Sequence, residues 1–284
     1  NHLFAFLGMI RNDGDNLVNL FVLGTDQESC VSRKQESTGG RQLCDREVIL
    51  CQRGRNLRFY VDHLHEPGYM GVKNLLRTGQ FFGLQYIYQT LTNSDGADPI
   101  DYPAIVETPA EFELVATDAA TGKPVYFTKD DMKQDDYRAI MASCALPVMC
   151  RPISFKDQTY FDGGLSDSVP IMRAFAKGCD RVVVILSKPR SFVKQPEGFR
   201  HIYRHALRKY PQTIAALDNR HLMYRQNIAD VKKQESAGKA LVFAPSKELK
   251  MSTYARDEKL EQELYDLGIS DFDARLNELH TFLS

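Results

Sequence analysis

The sequence predicts an α/β fold in which a mostly parallel sheet is covered by helices. Segments of strand and helix character alternate along the 284 residues, as they do in such folds. Residues 181–187 form an almost continuously apolar run, which is typical of a strand buried on both faces. The apolar fraction of 43% is sufficient for a sizeable core. No linker or repeat divides the chain, so we expect a single domain over residues 1–284, mostly helical over residues 190–284.

Strand predictions depend on apolar runs and turn signals. The polar residues 24–47 show neither the two-residue period of a strand nor the 3.6-residue period of a helix, and they are predicted to form a loop. A structureless loop of that length is uncommon in a compact domain. Residues 112–117, the turn 121–124 and residues 125–127 together predict a β-hairpin. A further strand is expected over residues 241–244.

Helices are expected mainly in the second half of the chain. Residues 169–177 are followed by Gly178, a residue suited to the position just after a helix. Four more helices are predicted over residues 199–210, 214–234, 257–267 and 271–283. The basic residues within 201–209 fit a membrane-facing surface, but a solvated helix face explains them more simply.

Composition argues against several classes of function. The 36 Lys and Arg residues nearly balance the 37 Asp and Glu residues, so no bulk charge indicates nucleic acid or an anionic membrane as a partner. Apolar runs such as residues 182–186 are far shorter than the roughly 20 residues that cross a bilayer. The six cysteines include no Cys-x-x-Cys, so we expect reduced thiols and a cytoplasmic location. The chain begins at Asn1 rather than Met, which leaves a cleaved signal open.

The most informative segment is residues 142–170. Within it two aromatic residues lead into Asp162, and Gly163 and Gly164 permit a sharp turn where a Cβ would clash. This pattern places Asp162 at the end of a strand with its carboxylate directed outward, where catalytic residues are often presented. Without further context, Asp-Gly-Gly is a turn far more often than a site.

The context of this motif resembles the bacterial patatin-like phospholipases. In that family a helix ending in Leu-Pro or Ile-Pro precedes the aspartate, as Leu146-Pro147 does here, and Pro170 follows it as in the family. Further similar segments are residues 52–56, 71–79, 116–118, 121–127 and 178–184. The resemblance covers about residues 52–284 and is weak before residue 52.

The resemblance implies a three-layer α/β/α fold and a serine acyl hydrolase of the phospholipase A or lysophospholipase type. In the family, a serine on a Gly-x-Ser-x-Gly turn attacks the ester carbonyl and an aspartate, here Asp162, accepts its proton. A glycine-rich loop with a nearby Arg binds the oxyanion. The implied partners are a lipid or fatty-acyl ester substrate and, transiently, a membrane surface. No metal, organic cofactor or nucleic acid is expected.

The sequence departs from the family at the nucleophile, because it contains no Gly-x-Ser-x-Gly. The nearest match is residues 35–39, where Ser37 and Gly39 are present but Gln35 replaces the first glycine. Ser37 lies 26 residues after Arg11, close to the family's spacing between oxyanion loop and serine. We therefore expect Ser37 to be the nucleophile. Alternative positions for the turn are Ser29, Ser32 and residues 39–41.

The expected oxyanion loop is also incomplete. Gly8, Met9 and Arg11 keep one glycine and the arginine of the family but not its run of glycines. Met9 can still donate its backbone N–H, although its side chain would crowd the loop. A faulty sequence in this region, a diverged active enzyme and an inactive protein would each explain these departures.

Three other functions stay open. The first is an inactive patatin-fold protein that binds lipid or regulates a partner. The second is a Ser-His-Asp hydrolase that joins Ser37 and Asp162 to a histidine; the candidates are His201, His205 and His221. The third is a metal hydrolase using residues 62–66, in which strand alternation would place His63 and His65 on one face.

Overall fold

The computed structural model describes residues 61–107, 111–249 and 257–283, together with two short strands at Phe4–Phe6 and Val22–Thr25. The residues expected to form the nucleophile turn and the oxyanion loop lie outside the described residues; they are Gly8, Met9, Arg11, Ser37 and Gly39. The loop expected over residues 24–47 lies outside them as well, apart from its first two residues, which end a strand.

The described strands form two sheets. Their bounds are β1 Phe4–Phe6, β2 Val22–Thr25, β3 Glu111–Asp118, β4 Pro124–Thr128, β5 Ile153–Phe155, β6 Gln158–Asp162, β7 Arg181–Ile185 and β8 Ala240–Phe243. The first sheet has the order β1-β3-β6-β5, and β4 also pairs with β3. The second sheet has the order β2-β7-β8. The strands predicted near β3, β4, β7 and β8 are therefore present.

The α/β class is confirmed, but a mostly parallel central sheet is not confirmed by these strands. Only β1–β3 and β7–β8 pair in parallel, whereas β2–β7, β3–β4, β3–β6 and β5–β6 are antiparallel. Two of the antiparallel pairs are hairpins, whose short connections allow no parallel pairing. In the β5–β6 hairpin both turn residues, Lys156 and Asp157, have positive φ, which is typical of a type I′ turn.

Nine α-helices with the following bounds lie in the described part of the chain: α1 Val72–Thr78, α2 Leu84–Tyr86, α3 Tyr102–Glu107, α4 Arg138–Ser143, α5 Ile171–Ala176, α6 Arg200–Ala206, α7 Pro211–Ser236, α8 Glu258–Asp273 and α9 Leu276–Leu283. Pro211 lies in the first turn of α7, where its fixed φ is favourable. Helix α8 continues through Gly268, where the sequence predicted its end; a glycine in an exposed helix costs only about 1 kcal/mol. No described helix has both the length and the apolar composition needed to cross a bilayer.

The elements around Asp162 pack through three groups of buried apolar side chains. One group lies between the first sheet and α4 and includes Leu114 and Tyr160. A second contains Val182 and Val184 of β7 together with Tyr224 of α7. Phe161, next to Asp162, belongs to the third group with Leu217 of α7 and is fully buried. Helix α7 is thus packed against the end of β6, where the candidate base lies.

Candidate active site

Asp162 is the last residue of β6 and is buried, with 3% of its surface exposed. Its backbone N–H donates to the carbonyl oxygen of Ala145 over 2.9 Å, just beyond α4. Its own carbonyl oxygen accepts the Thr117 hydroxyl of β3 over 2.7 Å. Both backbone polar groups of Asp162 are therefore hydrogen-bonded to neighbouring elements, which hold the Cα from which the side chain extends.

The two glycines after Asp162 form a short 3₁₀ turn, Gly163–Leu165, of which Asp162 is the N-cap. A Cβ on Gly163 would lie 2.1 Å from the carbonyl oxygen of Val115 in β3, so only a glycine allows this approach. The N–H of Gly164 donates to Asp162 Oδ1 over 2.7 Å, and a Cβ there would lie 2.8 Å from the same oxygen. The turn thus orients the carboxylate as well as the chain.

The environment of the Asp162 carboxylate differs between its two oxygens. Oδ1 accepts the Gly164 N–H, whereas Oδ2 is buried and has no hydrogen-bond partner in the part of the chain that the structure describes. Burial raises the pKa of Asp162 to about 6, against the opposing effects of Arg220, the Gly164 N–H and Lys194. A buried carboxylate with one oxygen anchored and the other available is suited to accept a proton.

A second carboxylate in the same segment, Asp167, is arranged differently. Its Oδ2 accepts the Tyr126 hydroxyl over 2.7 Å, and its Oδ1 accepts the side-chain amide of Asn227 over 3.3 Å. Burial raises the pKa of the Asp167 carboxyl above its ordinary range, and these hydrogen bonds oppose the rise. Because both oxygens are engaged, Asp167 is a structural residue that ties β4 to α7.

The structure brings no histidine of the described chain into hydrogen-bonding contact with Asp162. His201 and His205 lie on exposed positions of α6. His221 lies on α7, where its Nδ1 is buried without a hydrogen-bond partner among the described residues. The described histidines therefore do not support a Ser-His-Asp hydrolase that uses Asp162.

The two histidines of the metal alternative do not converge. His63 is buried, with Nδ1 3.0 Å from Glu66 and Nε2 3.0 Å from Asp98. Burial lowers the pKa of His63, but its two carboxylate partners outweigh burial and the pKa is raised. His65 is exposed and lies 3.0 Å from Glu258. Residues 61–63 are helical rather than a strand, so alternation does not place the two rings on one face.

No group of three or more His, Cys, Asp or Glu side chains in the described chain is arranged to hold a metal ion. The residues that sequence reasoning missed are instead two buried cations near Asp162, Lys194 and Arg220, with their shared partner Glu197. Neither cation belongs to a recognisable motif, and Arg220 lies on a helix with many charged residues. No sequence signal distinguishes it from its neighbours.

Comparison with known proteins locates two regions in the chain. Residues 45–175, which include Asp162, match the model of the patatin-like phospholipase family. Residues 210–284 match a domain of unknown function (DUF6363). The sequence resemblance therefore begins slightly earlier than expected, and the C-terminal part matches a different model.

A curated relative is similar over part of this range. The uncharacterized protein YjjU of Escherichia coli (strain K12) is 30% identical over 128 residues, which cover 38% of this chain and 35% of YjjU. The chain thus matches well under two thirds of that relative's length. Residues 45–175, which contain Asp162, are thus similar to the patatin-like phospholipase family.

Proposed function

We propose that the protein is a serine acyl hydrolase that cleaves a phospholipid, lysophospholipid or other fatty-acyl ester, with Asp162 as the general base. The observation that carries this proposal is the buried Asp162 carboxylate, whose Oδ2 has no partner among the described residues, within the patatin-like part of the chain. The proposed nucleophile is Ser37, and the proposed oxyanion donors are backbone N–H groups around Gly8 and Met9, near Arg11. The proposal takes residues 1–284 as one cytoplasmic domain that contacts a membrane surface transiently.

The proposed reaction has two stages. In the first, Asp162 accepts the serine proton while the serine oxygen bonds to the ester carbonyl carbon; collapse then expels the alcohol, which receives that proton. In the second, Asp162 accepts a proton from water as the water oxygen attacks the acyl-serine, and collapse releases the fatty acid and returns the proton to the serine. Backbone N–H groups stabilise the oxyanion in both stages.

The pKa of Asp162 suits this role. A pKa of about 6 leaves the carboxylate mostly ionised at neutral pH, yet makes it a stronger base than an exposed aspartate with a pKa near 3.9. No histidine is needed to accept the proton, which agrees with the positions of the described histidines.

The experiment that tests this function is labelling with a fluorophosphonate, which reacts with activated serines, followed by mass spectrometry of the digest. We expect one adduct, on Ser37, and loss of the adduct when a long-chain acyl ester competes. An adduct on any serine after residue 60 would refute the assignment of the nucleophile.

A second candidate function is an inactive lipid-binding protein, which the absence of a Gly-x-Ser-x-Gly favours. A folded protein that the fluorophosphonate does not label would support this candidate instead.

A further inference from the structure

Two buried cations, Lys194 and Arg220, and one partly buried carboxylate, Glu197, lie behind the Asp162 turn. Lys194 and Arg220 are each only 2% exposed. Both approach Glu197: its Oε1 lies 3.1 Å from Lys194 Nζ and 3.3 Å from Arg220 Nη1. Charges are rarely buried to this extent because the loss of hydration costs several kcal/mol for each ion, so a specific role is expected.

Arg220 connects this cluster to the turn. Its Nε–H donates to the carbonyl oxygen of Gly164 over 2.8 Å, and the Ser168 hydroxyl donates to the same oxygen over 2.8 Å. The N–H of Gly164 in turn donates to Asp162 Oδ1. Gly164 is therefore held at both of its backbone polar groups, by Asp162 on one side and by Arg220 and Ser168 on the other.

Arg220 also acts on Asp162 through its charge. Among the influences that lower the pKa of Asp162, Arg220 is the largest, followed by the Gly164 N–H and Lys194. Without this positive charge, burial would raise the pKa of Asp162 further and leave less of the base ionised at neutral pH.

Arg220 comes from a part of the chain outside the patatin-like match. It lies on α7, within residues 210–284, whereas the patatin-like match ends at residue 175. Lys194 and Glu197 lie in the segment between the two matched regions. The patatin-like region thus supplies the base, and the C-terminal region supplies the cation that supports it.

We infer that Arg220 is a positioning residue for Asp162: from the C-terminal region it holds the Gly164 carbonyl and stabilises the negative charge of the base. This inference rests on the proposed function of Asp162. It also assigns a role to the region matched by the domain of unknown function, which completes the active site of the patatin-like region.

The test compares Arg220→Gln, which removes the charge, with Arg220→Lys, which keeps the charge but loses the guanidinium Nε–H. Arg220→Gln is expected to move the acidic limb of the pH profile of kcat/KM upward by about one unit. Arg220→Lys is expected to leave that limb in place while kcat falls, because the Gly164 carbonyl loses its donor. The matched control is Arg190→Gln, since Arg190 also donates to a backbone carbonyl, that of Val242, and also pairs with a carboxylate, Glu235 of α7, outside the cluster behind Asp162.

A second readout separates this inference from the proposed function. Carboxyl-carbon NMR, with the Asp162 signal assigned by Asp162→Asn, measures the pKa of Asp162 whether or not the protein turns over an ester. If wild type is inactive, the proposed function fails, yet an upward pKa shift in Arg220→Gln would still support the coupling. An unchanged pKa in folded Arg220→Gln would overturn it. If Arg220→Gln does not fold, Arg220→Lys decides: a kcat equal to that of wild type overturns the positioning role.

Discussion

At the scale of single residues, Asp162 combines two opposing demands. A base must be ionised to accept a proton, but burial in the protein disfavours the ionised form. The structure meets these demands with the Gly164 N–H and the charge of Arg220, which offset part of the effect of burial and leave the pKa at about 6. In the proposed role of base, Asp162 therefore lowers the stability of the fold at neutral pH.

This cost predicts that Asp162→Asn stabilises the fold near neutral pH. The pKa of Asp162 is higher in the folded protein than the value of about 3.9 in an unfolded chain, so the folded state binds the proton more tightly. The stability that this tighter binding provides is complete below pH 4 and is lost as the pH rises through 6. An asparagine can still accept the Gly164 N–H but carries no charge.

The free energy of unfolding should be higher for Asp162→Asn than for wild type at pH 7, by up to about 3 kcal/mol. The difference should vanish near pH 4. Urea denaturation at pH 4, 5, 6 and 7 measures it. A variant that is less stable than wild type at pH 7, or a difference that does not change with pH, would contradict the assigned environment of Asp162.

At the scale of elements, β3 and the hairpin that ends at Asp162 determine the geometry of the site. The hairpin β3–β4 was predictable because the turn residues Thr121 and Gly122 separate two apolar runs. The hairpin β5–β6 was not predicted, because Lys156 and Asp157 adopt positive φ without a glycine. Helix α8 extended beyond its predicted end because an exposed glycine does not by itself end a helix.

The contact between the Asp162 turn and β3 makes Gly163 irreplaceable at this position. In Gly163→Ala the new methyl group would meet the Val115 carbonyl oxygen at 2.1 Å, so the turn and β3 must separate. We expect a loss of about 1–3 kcal/mol in the free energy of unfolding and a loss of esterase activity. Gly268→Ala is the matched control: no atom lies within 4 Å of its added Cβ, and it should stabilise α8 by up to about 1 kcal/mol. Equal stability of Gly163→Ala and wild type would show that the turn is not tightly packed.

At the scale of the whole molecule, the site depends on segments far apart in the chain. The place of Asp162 at the end of a strand was predictable, because aromatic residues, an aspartate and two glycines form a local pattern that lies within the patatin-like match. Arg220, Lys194 and Glu197 were not predictable, since only the packing of α7 against the end of β6 brings them behind the turn. Local patterns therefore led to Asp162 as the proposed base, whereas the charged side chains behind it could be found only from the tertiary structure.

The central claim is that Asp162 is the base of an acyl hydrolase, and the turnover of Asp162→Asn tests it most directly. The measurement is kcat/KM on a short-chain p-nitrophenyl ester between pH 4 and 9, for wild type, Asp162→Asn and the control Asp167→Asn, a second buried carboxylate whose oxygens are both hydrogen-bonded. We predict that the kcat/KM of wild type falls below about pH 6. Asp162→Asn should remain folded and lose about 10² to 10⁴-fold in kcat/KM. Asp167→Asn should retain the turnover of wild type and the same fall in activity at acidic pH. Unchanged turnover in a folded Asp162→Asn would contradict the account.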